Sequence, residues 1–281
     1  MEQIALPAGT VHYRAFGPDD GRPVVFVHGF LVDTMLWSDV PQRLAAQGYR
    51  TYAPTWPLAA HRTAMDRGAD LSPRGVARVV VSFLDALGLT DVVLVGSDTG
   101  GAVSQLVLDE DPSRVGCLVL TNCDAFDTFP PFPFDYLFRL ARHDRVALLV
   151  LQSMRSTMLR NSRLGFGWLV CRDLAAQESR AWIEPYLTDA GVRRDVTAFA
   201  RGWTGDELED SARWLEAFDR PVLICWGLDD PFFRPRLARL LTDTFPDATL
   251  VELAGARTFV SLDQPERLAD EILHWLGGAS A

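Results

Sequence analysis

The chain has 281 residues, 48% of them hydrophobic and 23% charged, with a formal net charge of −10. That length and apolar content suit one large α/β core, while the absence of both a spanning apolar run of roughly 18 residues and a basic, then apolar, leader points to a cytoplasmic protein. The acidic balance disfavours nucleic acid and anionic membrane surfaces as partners, and Cys117, Cys123, Cys171 and Cys225 lack metal-ligand spacing and read as free thiols.

In chain order, strands are predicted near 3–8 and 11–16, over 23–28 and over 50–56. Ser72 followed by Pro73 marks a helix start, and that helix ends near Gly88. A Val/Leu run over 92–97 is a buried strand, breaking at Gly96 to Gly101 into a helix that reaches about Glu110. Further strands are predicted over 115–121, 221–226 and 248–253, with helices over 234–244 and 265–276. Alternation of this kind implies a mostly parallel sheet with helices on both faces and a ligand site beyond the carboxyl ends of its strands. Between about Asp124 and Arg213 the alternation stops. That stretch opens with Phe129-Pro130-Pro131-Phe132-Pro133-Phe134 and continues in helical patterns, so the chain divides into 1–124 with 214–281 as the sheet core and 125–213 as a helical insertion.

The chemistry is concentrated in Gly96-Ser97-Asp98-Thr99-Gly100-Gly101. Glycines two before and two after a central residue let a strand reverse sharply into a helix and hold that residue above the sheet. The usual occupant is serine; here it is Asp98, and a carboxylate in that place attacks alkyl carbon to form an ester. A second buried strand ends in His28-Gly29-Phe30. With Trp226-Gly227-Leu228-Asp229-Asp230-Pro231-Phe232-Phe233 and Asp263-Gln264-Pro265-Glu266, these motifs make the chain resemble the α/β-hydrolase superfamily, and within it the haloalkane dehalogenases and epoxide hydrolases that carry aspartate at the elbow.

The resemblance implies an α/β-hydrolase fold whose inserted helices form a cap. It implies an oxyanion hole from the backbone amides of Phe30 and Thr99, and a triad acid at Asp230, with Asp124 in reserve after the preceding strand. Trp168, Tyr186 and Trp203 are candidate walls of an apolar pocket, and Tyr136 and Tyr186 are candidate donors to a leaving oxygen. His28 is read as a structural histidine of its loop. The sequence departs from the family at two places. Thr258 stands where the triad histidine belongs, and Thr99 and Phe30 stand where dehalogenases carry halide-binding tryptophan and a further donor.

Threonine does not take a proton from water at neutral pH. The sequence therefore leaves open a substitute base, His61 before His143; a non-hydrolytic isomerase, lyase or cyclase using Asp98 as acid and base; a ligand-binding protein that has lost turnover; and an engineered replacement. The leading expectation is a cofactor-independent, metal-free hydrolase acting on a small or medium hydrophobic substrate of the epoxide, ester or alkyl halide class. Its expected partner is that small molecule alone, with a homodimer allowed.

Overall fold

The computed structural model describes residues 1–279, and the alternation of the sequence becomes one eight-stranded sheet. An edge hairpin of β1 (Glu2–Leu6) and β2 (Gly9–Phe16) is antiparallel, and β2 pairs antiparallel with β4 (Arg50–Thr55). Beyond β4 the strands are parallel in the order β3 (Pro23–Val27), β5 (Val92–Asp98), β6 (Val115–Cys123), β7 (Val222–Gly227) and β8 (Ala248–Leu253). The central strands read Val-Val-Phe-Val, Val-Val-Leu-Val and Val-Leu-Ile-Cys because helices cover both their faces, and all twelve of those residues are fully buried. The first predicted strand stops at Leu6 instead of residue 8, since Leu6 pairs with Gly9 across a tight turn and Gly9 takes a φ of 131°.

Helices α1 (Val40–Ala46), α2 (Pro73–Ala86) and α3 (Thr99–Glu110) flank the first half of the sheet. The Ser72 side chain caps α2 by accepting from the Gly75 amide at 3.1 Å, as its sequence signature requires. The sequence reading missed α1 and the 3-10 turn Thr34–Trp37 before it. Both are under two turns long, too short for a helical period to show, and Asp33 fixes the turn by accepting from the Met35 amide.

Between β6 and β7 lie α4 (Phe134–Ala141), α5 (Asp144–Leu151), α6 (Thr157–Arg160), α7 (Ala176–Thr188), α8 (Ala190–Gly202) and α9 (Ala212–Glu216). Among the described residues this stretch contains no strand beyond the single bridge Ala125–Thr128. The chain closes with α10 (Pro235–Thr244), the single turn α11 (Val260–Asp263) and α12 (Pro265–Ala279).

The junction of β5 and α3 packs directly against the backbone of β3. A Cβ on Gly100 would stand 2.0 Å from the backbone oxygen of Val27, and backbone in a central strand has nowhere to move. Gly100→Ala is therefore expected to lower unfolding free energy by about 3 kcal/mol, read from the midpoint of a urea melt.

Candidate active site

Asp98 is the last residue of β5 and the residue before α3, with φ 55° and ψ −134°. A left-handed conformation is costly for a side chain with a Cβ, and it persists here because the sheet on one side and the helix on the other dictate both ends of the turn. The result is a carboxyl group held off the sheet edge. Its Oδ2 accepts from the Phe30 amide at 3.2 Å, and the Thr99 amide also faces it. Gly29 makes this approach feasible, since a Cβ there would lie 2.1 Å from Oδ2.

His28 braces its loop. Its Nδ1 lies 2.9 Å from the Gly29 carbonyl, and its Nε2 accepts from the Trp56 amide at 2.8 Å, so Nδ1 carries the hydrogen. Complete burial pushes its pKa down to about 4, which keeps it neutral.

Asp230 follows β7 in the loop predicted for it. Its Oδ1 accepts from the Phe232 and Phe233 amides at 2.8 and 3.2 Å, and its Oδ2 accepts from Asn122 Nδ2 at 2.9 Å. The fourth donor is Thr258 Oγ1 at 2.9 Å. A threonine hydroxyl thus completes the donor set of Asp230. Burial raises the Asp230 pKa while these donors oppose the rise. Asn122 also accepts from the Gly227 amide and donates to the Gly227 carbonyl, fixing the loop that presents the acid.

Among the described residues Asp98 has no cationic partner. Burial pushes its pKa up to about 7, the two amides pull it back, and the nearby Asp230 charge adds to the rise. Asp124 lies one residue beyond Cys123, which pairs in register with Asp98 across β5 and β6. Its side chain is fully buried and neither carboxyl oxygen meets a hydrogen-bond donor of good geometry. Burial and the Asp98 charge raise its pKa well above the carboxylate range, with the Thr99 side chain its moderating polar neighbour. Two adjacent carboxyl groups without a cation hold on to a proton.

Above Asp98 lies a chamber of about 330 Å³ walled mostly by apolar side chains. Phe134, Leu137 and Phe138 supply one wall from α4, and Leu151, Met154, Phe166, Trp168 and Ile183 close it. Asp98 and Arg163 are its charged wall residues. The Phe30 ring centroid is 4.7 Å from that of Phe138 and 5.7 Å from that of Phe199, which ties the loop after β3 to the inserted helices. The α4 wall carries a sequence signal that was not among the expectations: positions 134, 137 and 138 have the i, i+3, i+4 spacing of one helical face.

Of the predicted pocket residues, Trp168 is in the wall, whereas Tyr186 and Trp203 stand behind it. The Trp203 indole donates to the Phe129 carbonyl at 2.9 Å, a packing role, and the buried Tyr186 hydroxyl has no hydrogen-bond partner. His61 is also kept out of the chamber. Its Nε2 is 3.1 Å from Asp195 Oδ2 on α8, and the same oxygen accepts from the Met65 amide at 2.7 Å, so the imidazole joins the core to the inserted helices. His143 is the exposed residue before α5 and does not line the chamber.

A family model described as "alpha/beta hydrolase fold" matches residues 22–265. Haloalkane dehalogenase 2 of Mycobacterium tuberculosis is 30% identical, with 96% of this chain and 92% of that protein covered. The cis-3-alkyl-4-alkyloxetan-2-one decarboxylase of Xanthomonas campestris is 27% identical, with 96% and 93% covered. Among solved structures, the epoxide hydrolase CorEH superposes with a TM-score of 0.79 at 17% identity over 99% of this chain and 98% of that one, a likeness of fold alone.

Proposed function

We propose, for a hydrolase that belongs to the alpha/beta hydrolase fold family, that Asp98 opens a small apolar epoxide through an ester on its own carboxyl group. The observation that carries this reading is the Phe30 amide on Asp98 Oδ2. An amide there polarises the acyl carbon of Asp98 itself, so the charge it is ready to stabilise is that of water attacking an Asp98 ester. The chamber suits an uncharged molecule, because its apolar wall repays no desolvation of a charge.

Epoxide is favoured over alkyl halide by the donors present. Thr99 offers one hydroxyl and Phe30 only its amide, which is little for a departing halide. An epoxide oxygen instead stays attached and needs one proton. Among the described residues no tyrosine lines the chamber, so that proton comes from elsewhere. Asp124 holds one, and Thr99, its neighbour, is in the chamber wall.

The cycle closes on that single proton. The Asp98 carboxylate attacks an epoxide carbon, the C–O bond breaks, and the alkoxide takes the Asp124 proton by way of the Thr99 hydroxyl. Esterification removes the Asp98 charge, which lowers the Asp124 pKa and keeps Asp124 ionised. Water then adds to the ester carbonyl, Asp124 takes back a proton by the same route, and a diol leaves with Asp98 ionised again. Asp230 and Thr258 carry no proton in this scheme. Their place beside the chamber lacks the imidazole that makes ester release fast, so the ester accumulates.

Incubation with styrene oxide followed by intact-mass and peptide analysis tests the reading. The expected result is an adduct of one whole epoxide on the peptide holding Asp98, slowly yielding diol, and none in Asp98→Asn. Absence of both adduct and diol across aromatic and alkyl epoxides would overturn it and favour a binding protein. Diol without any adduct would favour Asp98 acting as a base on water.

A further inference from the structure

The net charge of −10 conceals a local reversal. Between residues 132 and 164 the sequence has six arginines against two aspartates. The same stretch holds seven of the ten large hydrophobic side chains that stand exposed among the described residues, including Met158 at 85%, Phe132 at 76% and Leu149 at 73%. Isolated exposed hydrophobics need no explanation; a concentration of them on a basic surface does.

The exposed set surrounds the chamber. In 131–137, Pro131, Pro133, Phe134 and Leu137 face inward while Phe132 and Tyr136 face solvent. In 146–151, Leu151 faces inward and Val146 and Leu149 outward, and Val150 and Leu164 do both, which puts them at the mouth. The apolar lining of the chamber therefore continues outward as an apolar rim. Arg145, Arg155 and Arg163 are exposed around it and make no ion pair among the described residues, while Arg139 pairs with Asp135 at 3.4 Å. Arg142 and Arg160 are spent on carbonyl oxygens within the insertion.

We infer that this rim docks on an anionic lipid surface, seating Leu149, Met158, Phe132 and Tyr136 at the headgroup boundary with the free arginines on lipid phosphates. Apolar side chains beside cationic ones are what such a boundary binds, aromatic rings included. The acidic remainder of the chain does not prevent this, because screening confines each charge to about 8–10 Å in physiological salt. A second copy of the chain fits the rim less well, since a two-fold contact would set the same unpaired arginines against each other. Docking this way opens the chamber mouth onto the bilayer, so its substrates are lipophilic molecules dissolved there. The inference concerns the surface only and stands whichever bond Asp98 attacks.

Vesicle sedimentation of the whole chain tests it. Vesicles of phosphatidylcholine mixed with phosphatidylglycerol should bind at least about tenfold more protein than phosphatidylcholine alone, with the excess lost as salt rises from about 0.05 M to about 0.5 M. Leu149→Gln with Met158→Gln, and separately Arg145→Ala with Arg155→Ala, should each cut binding about tenfold. Leu240→Gln, an exposed leucine on α10, should not. All of these positions lie outside the chamber wall, and an unchanged thermal melt followed by circular dichroism serves as the folding control. Equal binding to neutral and anionic vesicles, no binding to either, or a dimer in light scattering that Leu149→Gln dissociates would each overturn the inference.

Discussion

Thr258→His is expected to speed breakdown of the Asp98 ester by about 10²- to 10⁴-fold, the usual contribution of a positioned general base. The acid that would orient the ring is already in place. Asp230 is held by two backbone amides and by Asn122, and its remaining donor is the hydroxyl that the substitution replaces. An imidazole nitrogen donating to Asp230 leaves its second nitrogen free for water, the division of labour a triad needs. The ring must fit a fully buried site, and insertion of extra atoms there is expected to lower stability by about 1–3 kcal/mol. The discriminating measurement is single-turnover mass spectrometry with styrene oxide. The rate of ester formation should be unchanged and the ester lifetime shortened. An unchanged lifetime in a variant that still forms the ester would show that a missing base is not what retains it.

The same residues show what a sequence makes legible. The fold was readable because it rests on local signals, the apolar runs of β3, β5 and β7, and the glycine bracket around Asp98, ambiguous by itself, gained its meaning from the strand before it and the helix after it. The offset from Gly227 singled out Asp230, and the structure places that carboxylate in the loop after β7 with donors on both oxygens. Residues acting through distant neighbours were not. His61 follows a strand at the correct end of the sheet, which is all a sequence says of it, but Asp195, 134 positions later, decides where its ring is held. Tyr186 and Trp203 are aromatic and buried, as expected, yet burial is shared by wall and backing alike and only three-dimensional packing separates them. Asp124 was visible merely as a spare acid; that its oxygens face no donor depends on the register of β5 with β6 and on burial from above. The basic, apolar rim was hidden in an average, since a chain-wide charge says nothing about a stretch of 33 residues.

The pH dependence of the two half-reactions separates the roles of Asp98 and Asp124. In the proposed reaction the attacking species is the Asp98 carboxylate, and with its pKa at about 7 the rate of ester formation should fall about tenfold per pH unit below neutrality. An aspartate at its ordinary pKa of about 4 would give a flat profile over that range. Asp124→Asn leaves burial, the main cause of the Asp98 shift, intact, so ester formation should keep its inflection while ester formation and ester breakdown both slow by about 10²-fold or more, since Asp124 gives the proton in the first and takes it back in the second. Stability supplies an independent reading. A carboxyl whose folded pKa exceeds its unfolded value stabilises the fold only while protonated. That contribution is whole below about pH 4 and is lost as pH rises through about 7. Asp98→Asn should therefore melt higher than the parent at about pH 8, and the two should converge at about pH 4. Convergence in the opposite direction, with the parent more stable at high pH, would mean that Asp98 is ionised against a partner, and a carboxylate so satisfied has little reason to attack carbon.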